Sequence, residues 1–533
     1  MNNQTSDHYF KQGNQFKREG KSEQAIVAYR KAIALKPNFY WYHHNLGETL
    51  SKLGRWDAAI ACYRSACNLN PNSAWSHYKL GEILSFQGTE DEAIIHFRKA
   101  IEILPNSYKF YEKLGLTLLN NHDFDEAVIF LVKLFELNQN PVFVLNNLNL
   151  NFRKDFSKQN QYLIYYKLGK ALTKIGLLEA AVKCYIQATH IQPDNSQAYY
   201  KLLHLSAYSQ YQLSSSHLDE LATIYSSTLH SSYPKNPDCY INLAHILTAQ
   251  GKTEEAITCY QKGCYHQTLA SHPEFVDKYW NQSKPHGPNF LVIGGTKCGT
   301  TSLYKSLVVH PMILPATHKE LSFFHSHFSQ GFDWYLAHFP PIYHDAENTF
   351  LTGEATADYF YYTDLVEKRV FDFNPGIKLI LLLRNPIERT ISHYYHAIRL
   401  DYSMLPLEDF INLEIEKTER MSEDYTKLYN GELGVLQMGL YVYFIEKWIK
   451  IFSEEQILIL KSEDLFAYPK KNLSKVFKFL GIHENNIVNN NFYDDNKGNY
   501  LNINDNLRER LFKFFLPHNQ LLEEYLGRKL YWD

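Results

Sequence analysis

Glycines 13, 47, 81 and 115 are each 34 residues apart, and a chain that repeats itself at that interval must build one supersecondary unit several times over. Ala25, Ala59, Ala93 and Ala127 each follow one of these glycines by twelve residues. Tyr29, Tyr63 and Phe97 follow by sixteen, and Pro37, Pro71 and Pro105 close the units. The physical logic is that of two short antiparallel helices per unit. Small Gly and Ala residues let the helices approach closely, the ring fills the gap between neighbouring units, and proline stops the second helix. Each unit then hides its apolar face on the next, so this half of the chain is expected to be an array with no single central core.

The register breaks between Asn138 and Asn160 and returns with Gly169, Gly176, Ala181, Tyr185, Ala188 and Pro193. A looser segment, Ser196 to Pro234, keeps helical composition without the marker residues, and Ala244, Gly251, Ala256 and Tyr260 mark a last unit. This gives six recognisable units and one degenerate pair. The order LG…G…A…Y…A…P resembles the tetratricopeptide repeat. That resemblance implies a helical solenoid over residues 1–270 whose concave surface takes a protein partner. An array that only packs against the rest of the chain, or dimerises, is the alternative.

The second half is organised around Phe290 to Leu303, FLVIGGTKCGTTSL. Phe290 to Ile293 read as a buried strand, Gly294 and Gly295 as the residues that permit positive φ in a sharp turn, and Thr300, Thr301 and Ser302 as helix caps. Free N–H groups and the dipole at such a helix start make an anion site. In the ATP and GTP loop GxxxxGK[ST], lysine directly follows the last glycine and the next hydroxyl holds Mg²⁺. Here Thr300 follows Gly299, and Lys297 lies inside the loop, so a metal-bound triphosphate fits poorly.

GGTKCGTTSL resembles instead the 5′-phosphosulfate loop of sulfotransferases that use 3′-phosphoadenosine 5′-phosphosulfate (PAPS), nearest to the heparan-sulfate-type branch and its bacterial relatives. The resemblance extends from Asn289 to Asp533 through further motifs in order. Lys319 and Glu320 before Phe323 and Phe324 are similar to KExxFF, where the glutamate is taken as general base. LTGEATADYFYY is similar to the GExxxxY segment but carries Ala355 where the heparan branch commonly has lysine. RNPIERTISHYY resembles the 3′-phosphate motif, which implies Arg384 and Ser392 as ligands. Asn385-Pro386 stand where a nucleotide triphosphatase places a metal-binding aspartate, and guanidinium suits a dianionic phosphate without metal. Lys497-Gly498 is similar to the late loop that closes over the donor.

The resemblance implies that Lys297 and Glu320 are catalytic, with Gly295, Lys297, Gly299, Thr300, Thr301, Ser302, Arg384, Ser392, Lys497 and Gly498 around PAPS, and no metal. Glu354 is the second carboxylate that could serve as base. The expected fold is multi-domain: an all-α repeat solenoid, a junction at 271–288 carrying three prolines, and an α/β P-loop-like three-layer domain over 289–533 with a central parallel sheet. The expected acceptor is carbohydrate. A protein tyrosine is the alternative substrate, and a repeat scaffold with an inactive nucleotide-binding domain the alternative function.

A formal net charge of −3 gives no general attraction to nucleic acid, so any basic site must be local. The start of the chain, MNNQTSDHYFKQGNQFK, has no apolar signal region, and runs such as Leu379 to Leu383 are too short to span a membrane. The expected location is the cytoplasm. Seven cysteines with no CxxC pair are expected to be reduced and packed as small hydrophobes.

Overall fold

The computed structural model describes residues 5–138, 156–208, 211–231, 235–344, 349–399, 405–420, 433–482 and 503–532. The chain forms two compact units, Met1–His217 and Leu218–Asp533. The register break at Asn138 to Asn160 falls largely outside the described residues.

The first unit is a run of antiparallel helix pairs, beginning with Ser6–Arg18 and Ser22–Leu35, then Tyr40–Lys52 and Trp56–Leu69, at the expected period. The repeated ring is fully buried, but it fills a different gap from the one expected. A Cβ on Gly13 would lie 2.6 Å from the Tyr29 ring, and one on Gly81 2.9 Å from Phe97. The ring therefore occupies the space its own unit's glycine leaves open between paired helices. Gly20, Gly54 and Gly88 make the left-handed turn inside each pair.

Among its described residues the second unit contains five parallel strands: β1 Phe290–Gly294, β2 Ile313–Pro315, β3 Leu351–Ala355, β4 Lys378–Leu383 and β5 Ile457–Lys461. Their order is β2-β3-β1-β4-β5, with every pairing parallel. Residues of β1, β3 and β4 are almost wholly buried, as continuous apolar runs covered on both faces require. From β1 the chain goes first to one side, through β2 and β3, then crosses to β4 and β5. The topology thus reverses between β1 and β4, and in open parallel sheets the crevice beyond the strand ends at that point is where ligands bind.

This unit also includes the last repeat pair, Pro237–Ala249 and Thr253–Ser271. Residues 271–288, expected as a junction, contain helix Pro273–Tyr279, whose Phe275 and Val276 pack with Leu314, Ile342 and Phe350. Proline at the first turn of that helix starts it, where no N–H partner is required. By internal packing the last pair groups with the sheet, and the division between the two compact units falls at 217/218.

Candidate active site

The loop between β1 and helix Thr300–Leu307 lies at the topological switch point, and its glycines work differently from the expectation. The left-handed residues are Lys297 (φ 67°) and Gly299 (φ 92°), not Gly294 or Gly295. Those two are required by close approach. A Cβ on Gly294 would sit 2.5 Å from Phe360 Cβ and 2.9 Å from the Ala357 carbonyl oxygen, and one on Gly295 2.9 Å from Tyr361 Oη. Gly299 is the N-cap, so Thr300, Thr301 and Ser302 occupy the first helical turn rather than capping it. The helical ladder opens with Leu303 N–H donating to the Gly299 carbonyl at 3.0 Å. The N–H groups of Thr300, Thr301 and Ser302 precede it and are available to an anion. Thr300 and Ser302 are buried, and Thr301 is half-buried.

Late segments brace this loop. Ser462 Oγ donates to the Cys298 carbonyl at 2.5 Å, and Thr296 Oγ1 donates to Asp358 Oδ1 at 2.7 Å. Arg384 Nη1 donates to the Lys297 carbonyl at 3.1 Å, while Tyr441 Oη donates to the Arg384 carbonyl at 2.9 Å. The arginine at the end of β4 and the lysine beyond β1 are thus brought together. Ser392 is buried on the helix that follows β4, Pro386–Arg399.

Lys297 is half-buried, and burial pushes its ammonium down to about 8, against the opposing pull of Glu320 and with the repulsion of Arg399 and Lys319. Glu320 and Lys297 therefore share one electrostatic neighbourhood. Glu320 is half-exposed, ion-paired with Lys319, and held in left-handed backbone (φ 65°) by its N–H to the Ala355 carbonyl at 3.0 Å. Non-glycine residues in this region are costly and cluster at functional sites.

Glu354 is different in kind. It is wholly buried in β3 and accepts hydrogen bonds from Tyr335 Oη at 2.7 Å, Tyr359 Oη at 2.9 Å and Thr356 Oγ1 at 3.0 Å. Burial lifts its carboxyl to about 6 although these donors oppose the rise. It ties three segments of the domain together.

Three neighbours escaped the sequence reading. Asp358 fixes Thr296, and burial raises its carboxyl. Arg389 is fully buried, and its Nε and Nη1 lack a partner among the described residues, while Nη2 donates to the Val435 carbonyl. His393, held neutral by burial and by Arg389, likewise has an unpartnered Nδ1 among the described residues. A buried guanidinium with open donors calls for an anionic or oxygen-rich partner. Arg389 and His393 both lie within RNPIERTISHYY, where Arg384 and Ser392 alone drew attention. Lys497 and Gly498 lie outside the described residues.

Residues 287–519 match the sulfotransferase domain family model, and tetratricopeptide-repeat models match 13–54, 50–88, 76–107, 96–129, 162–195 and 237–265. A membrane-associated sulfotransferase, kil1, of Dictyostelium discoideum is 29% identical over 317 residues, covering 46% of this chain and 66% of that protein. Mouse bifunctional heparan sulfate N-deacetylase/N-sulfotransferase 4 is 31% identical over 220 residues, 38% of this chain and 23% of that protein. Mouse heparan sulfate glucosamine 3-O-sulfotransferase 5 is 27% identical over 268 residues, 46% and 74% respectively. This chain thus spans under a quarter of the bifunctional relative and about two thirds of the first. Among solved structures, a sulfotransferase from Alicyclobacillus acidocaldarius aligns over 46% of this chain and 98% of its own, at 23% identity and a TM-score of 0.36. No helix among the described residues is long and apolar enough to cross a membrane. The chain joins an array of tetratricopeptide repeats to a domain of the sulfotransferase family.

Proposed function

We propose that this chain transfers a sulfuryl group from PAPS to a hydroxyl or amine of a carbohydrate acceptor. The observation that carries the reading is the meeting of Lys297, Arg384 and Glu320 at the reversal of a parallel sheet, beside open helix N–H groups. In a chain of net charge −3, Lys297, Lys319, Arg384, Arg389 and Arg399 make this neighbourhood locally cationic. That suits a donor carrying a phosphosulfate and a 3′-phosphate.

In the proposed step, the acceptor oxygen or nitrogen attacks sulfur in line. The new bond to sulfur forms as the S–O bond to the 5′-phosphate breaks, and adenosine 3′,5′-bisphosphate leaves. Glu320, beside Lys319, takes the acceptor proton. Lys297 and the helix N–H groups meet the charge that develops on the leaving phosphate, and Arg384, with Ser392, binds the 3′-phosphate. Positioning and charge stabilisation dominate, as in phosphoryl transfer. The loop's lysine arrangement supports this donor over a metal-bound triphosphate.

A carbohydrate acceptor is supported by the names of the relatives, which act on heparan sulfate. Recruitment of a protein partner is assigned to the repeat array, and the cytoplasm is the proposed setting. Incubation of the full chain with ³⁵S-labelled PAPS and, separately, desulfated heparin and tyrosine-rich peptides tests the reading. Label in the polysaccharide supports it. Label only in peptide moves the acceptor to protein, and label in neither, with ATP–Mg²⁺ bound more tightly than adenosine 3′,5′-bisphosphate, overturns it.

A further inference from the structure

The turn that carries Glu320 is held from two sides. Both Glu320 and Ser322 are in left-handed backbone, at φ 65° and 53°. Each such non-glycine residue is strained, a cost that the surroundings must offset. One set of supports comes from the end of β3: Glu320 N–H donates to the Ala355 carbonyl at 3.0 Å, and Ser322 N–H to Thr356 Oγ1 at 3.2 Å.

The other set comes from the last repeat pair. Gln267 Nε2, on helix Thr253–Ser271, donates to the Ala316 carbonyl at 3.0 Å, four residues before Glu320. His245, on helix Pro237–Ala249, sets its ring edge-on to His318 at 5.6 Å, two residues before Glu320. Thr248 Oγ1 accepts from Trp334 Nε1 at 3.0 Å. The Tyr260 ring lies 3.9 Å from that of His338, whose Nδ1 is hydrogen-bonded to Thr317 Oγ1 at 2.6 Å. These repeat residues contact the backbone and side chains on both sides of the turn. They belong to 237–265 or its continuation, which matches a tetratricopeptide model and precedes the start of the sulfotransferase match at 287.

We propose that the last tetratricopeptide pair is a positioning element of the catalytic site, with Gln267 and His245 holding the His318–Glu320 turn so that the carboxylate faces Lys297. The inference rests on the reading of Glu320 as the base. The repeat that would otherwise cap the array has been taken into the enzyme, and it supports the acceptor side while the loop 294–302 is braced by β4, β5 and the segments after them. Displacement of the pair therefore alters proton removal and leaves the donor site as it was. A misplacement of the order of 1 Å at such a group costs up to about a hundredfold in rate.

The test uses full-length chains carrying Gln267→Met, which keeps the side-chain length and removes the donor, and Trp334→Phe as a second, independent loss. Thr258→Ala is the control: it is exposed on the same helix, and its Oγ1 donates to the Glu254 carbonyl one turn earlier at 3.1 Å. Each change is made alone and with Glu320→Gln, and transfer from PAPS to desulfated heparin is expressed per site that binds adenosine 3′,5′-bisphosphate. The expected result is an unchanged bisphosphate Kd, a kcat reduced about tenfold or more, and no further reduction when Gln267→Met is added to Glu320→Gln. Hydrogen exchange should quicken at 316–322 and not at 290–303. An equal fold-loss in both backgrounds, or unchanged exchange at 316–322, overturns the positioning role alone. Normal transfer by Glu320→Gln by itself overturns the base assignment and this inference with it.

Discussion

The guanidinium of Arg384 donates to the backbone carbonyl of Lys297 at 3.1 Å, joining the end of β4 to the loop after β1. Removing Arg384 therefore does two things: it deletes a cation and it releases the loop. Arg384→Ala should weaken adenosine 3′,5′-bisphosphate by about one to two decades, on the scale of a charge-assisted hydrogen bond. Adenosine 5′-monophosphate, which lacks the 3′-phosphate, should lose distinctly less. Titration calorimetry with both nucleotides checks this, and equal losses would assign the effect to the loop alone.

Lys297→Ala should lower kcat by about 10²–10³ if the ammonium meets charge on the leaving phosphate. Because burial holds this group at about 8 in the free protein, kcat/KM should decline as pH rises through 8 and the ammonium is lost. Lys297→Arg should carry whatever activity it has to higher pH. The linkage to folding has the opposite sense to the usual lysine pair. The folded value lies below the ordinary lysine value of 10.5, so between about 8 and 10.5 the unfolded chain binds more protons and this residue's contribution to stability rises with pH.

The two carboxylates should separate cleanly. Glu320→Gln is expected to suppress transfer by about 10²–10⁴ with little change in Tm, since the side chain is half-exposed. Glu354→Gln disturbs a buried acceptor of three hydroxyl donors and should cost about 1–3 kcal/mol, read as a lowered Tm. Glu354 also carries a pH signature. Its folded value of about 6 exceeds the ordinary glutamate value of 4.5, so the stability it contributes is complete below 4.5 and is lost as pH rises through 6. That dependence should vanish in Glu354→Gln.

Gly294→Ala tests close approach against conformational freedom. The new Cβ would meet Phe360 Cβ at 2.5 Å and the Ala357 carbonyl at 2.9 Å, neither of which is the end of a flexible chain. A loss of about 1–3 kcal/mol in denaturant unfolding is expected, together with weakened bisphosphate binding as the loop shifts.

Much of this was legible because it depends on local pattern. The 34-residue period gave the helix pairs, and the apolar run Phe290 to Ile293 with its glycines gave strand, loop and helix. What escaped depends on contacts remote in sequence. Nothing local says that Lys297 bears the left-handed φ, because the strain is set by partners such as Arg384 and Ser462, 87 and 164 or so positions along the chain from the loop carbonyls they bind. Arg389 was invisible for a similar reason: in RNPIERTISHYY its spacing reads as one helix face, and only packing shows that the face is buried. Residues 271–288 read as a junction because of their prolines and lost periodicity, whereas Pro273 opens a packed helix there.

That helix has a consequence for solubility. β2 is an edge strand of three residues ending in proline, a form that discourages pairing with another chain. Phe275 and Val276 cover Leu314, Ile342 and Phe350 beside it, with Tyr279 and Trp280 at the margin. A fragment cut to the sulfotransferase match, from residue 287, would lose that cover and present a contiguous greasy patch to water. Such a fragment would clump with its own kind before its chemistry could be assayed, so the apparent linker acts as the domain's built-in guard against self-association.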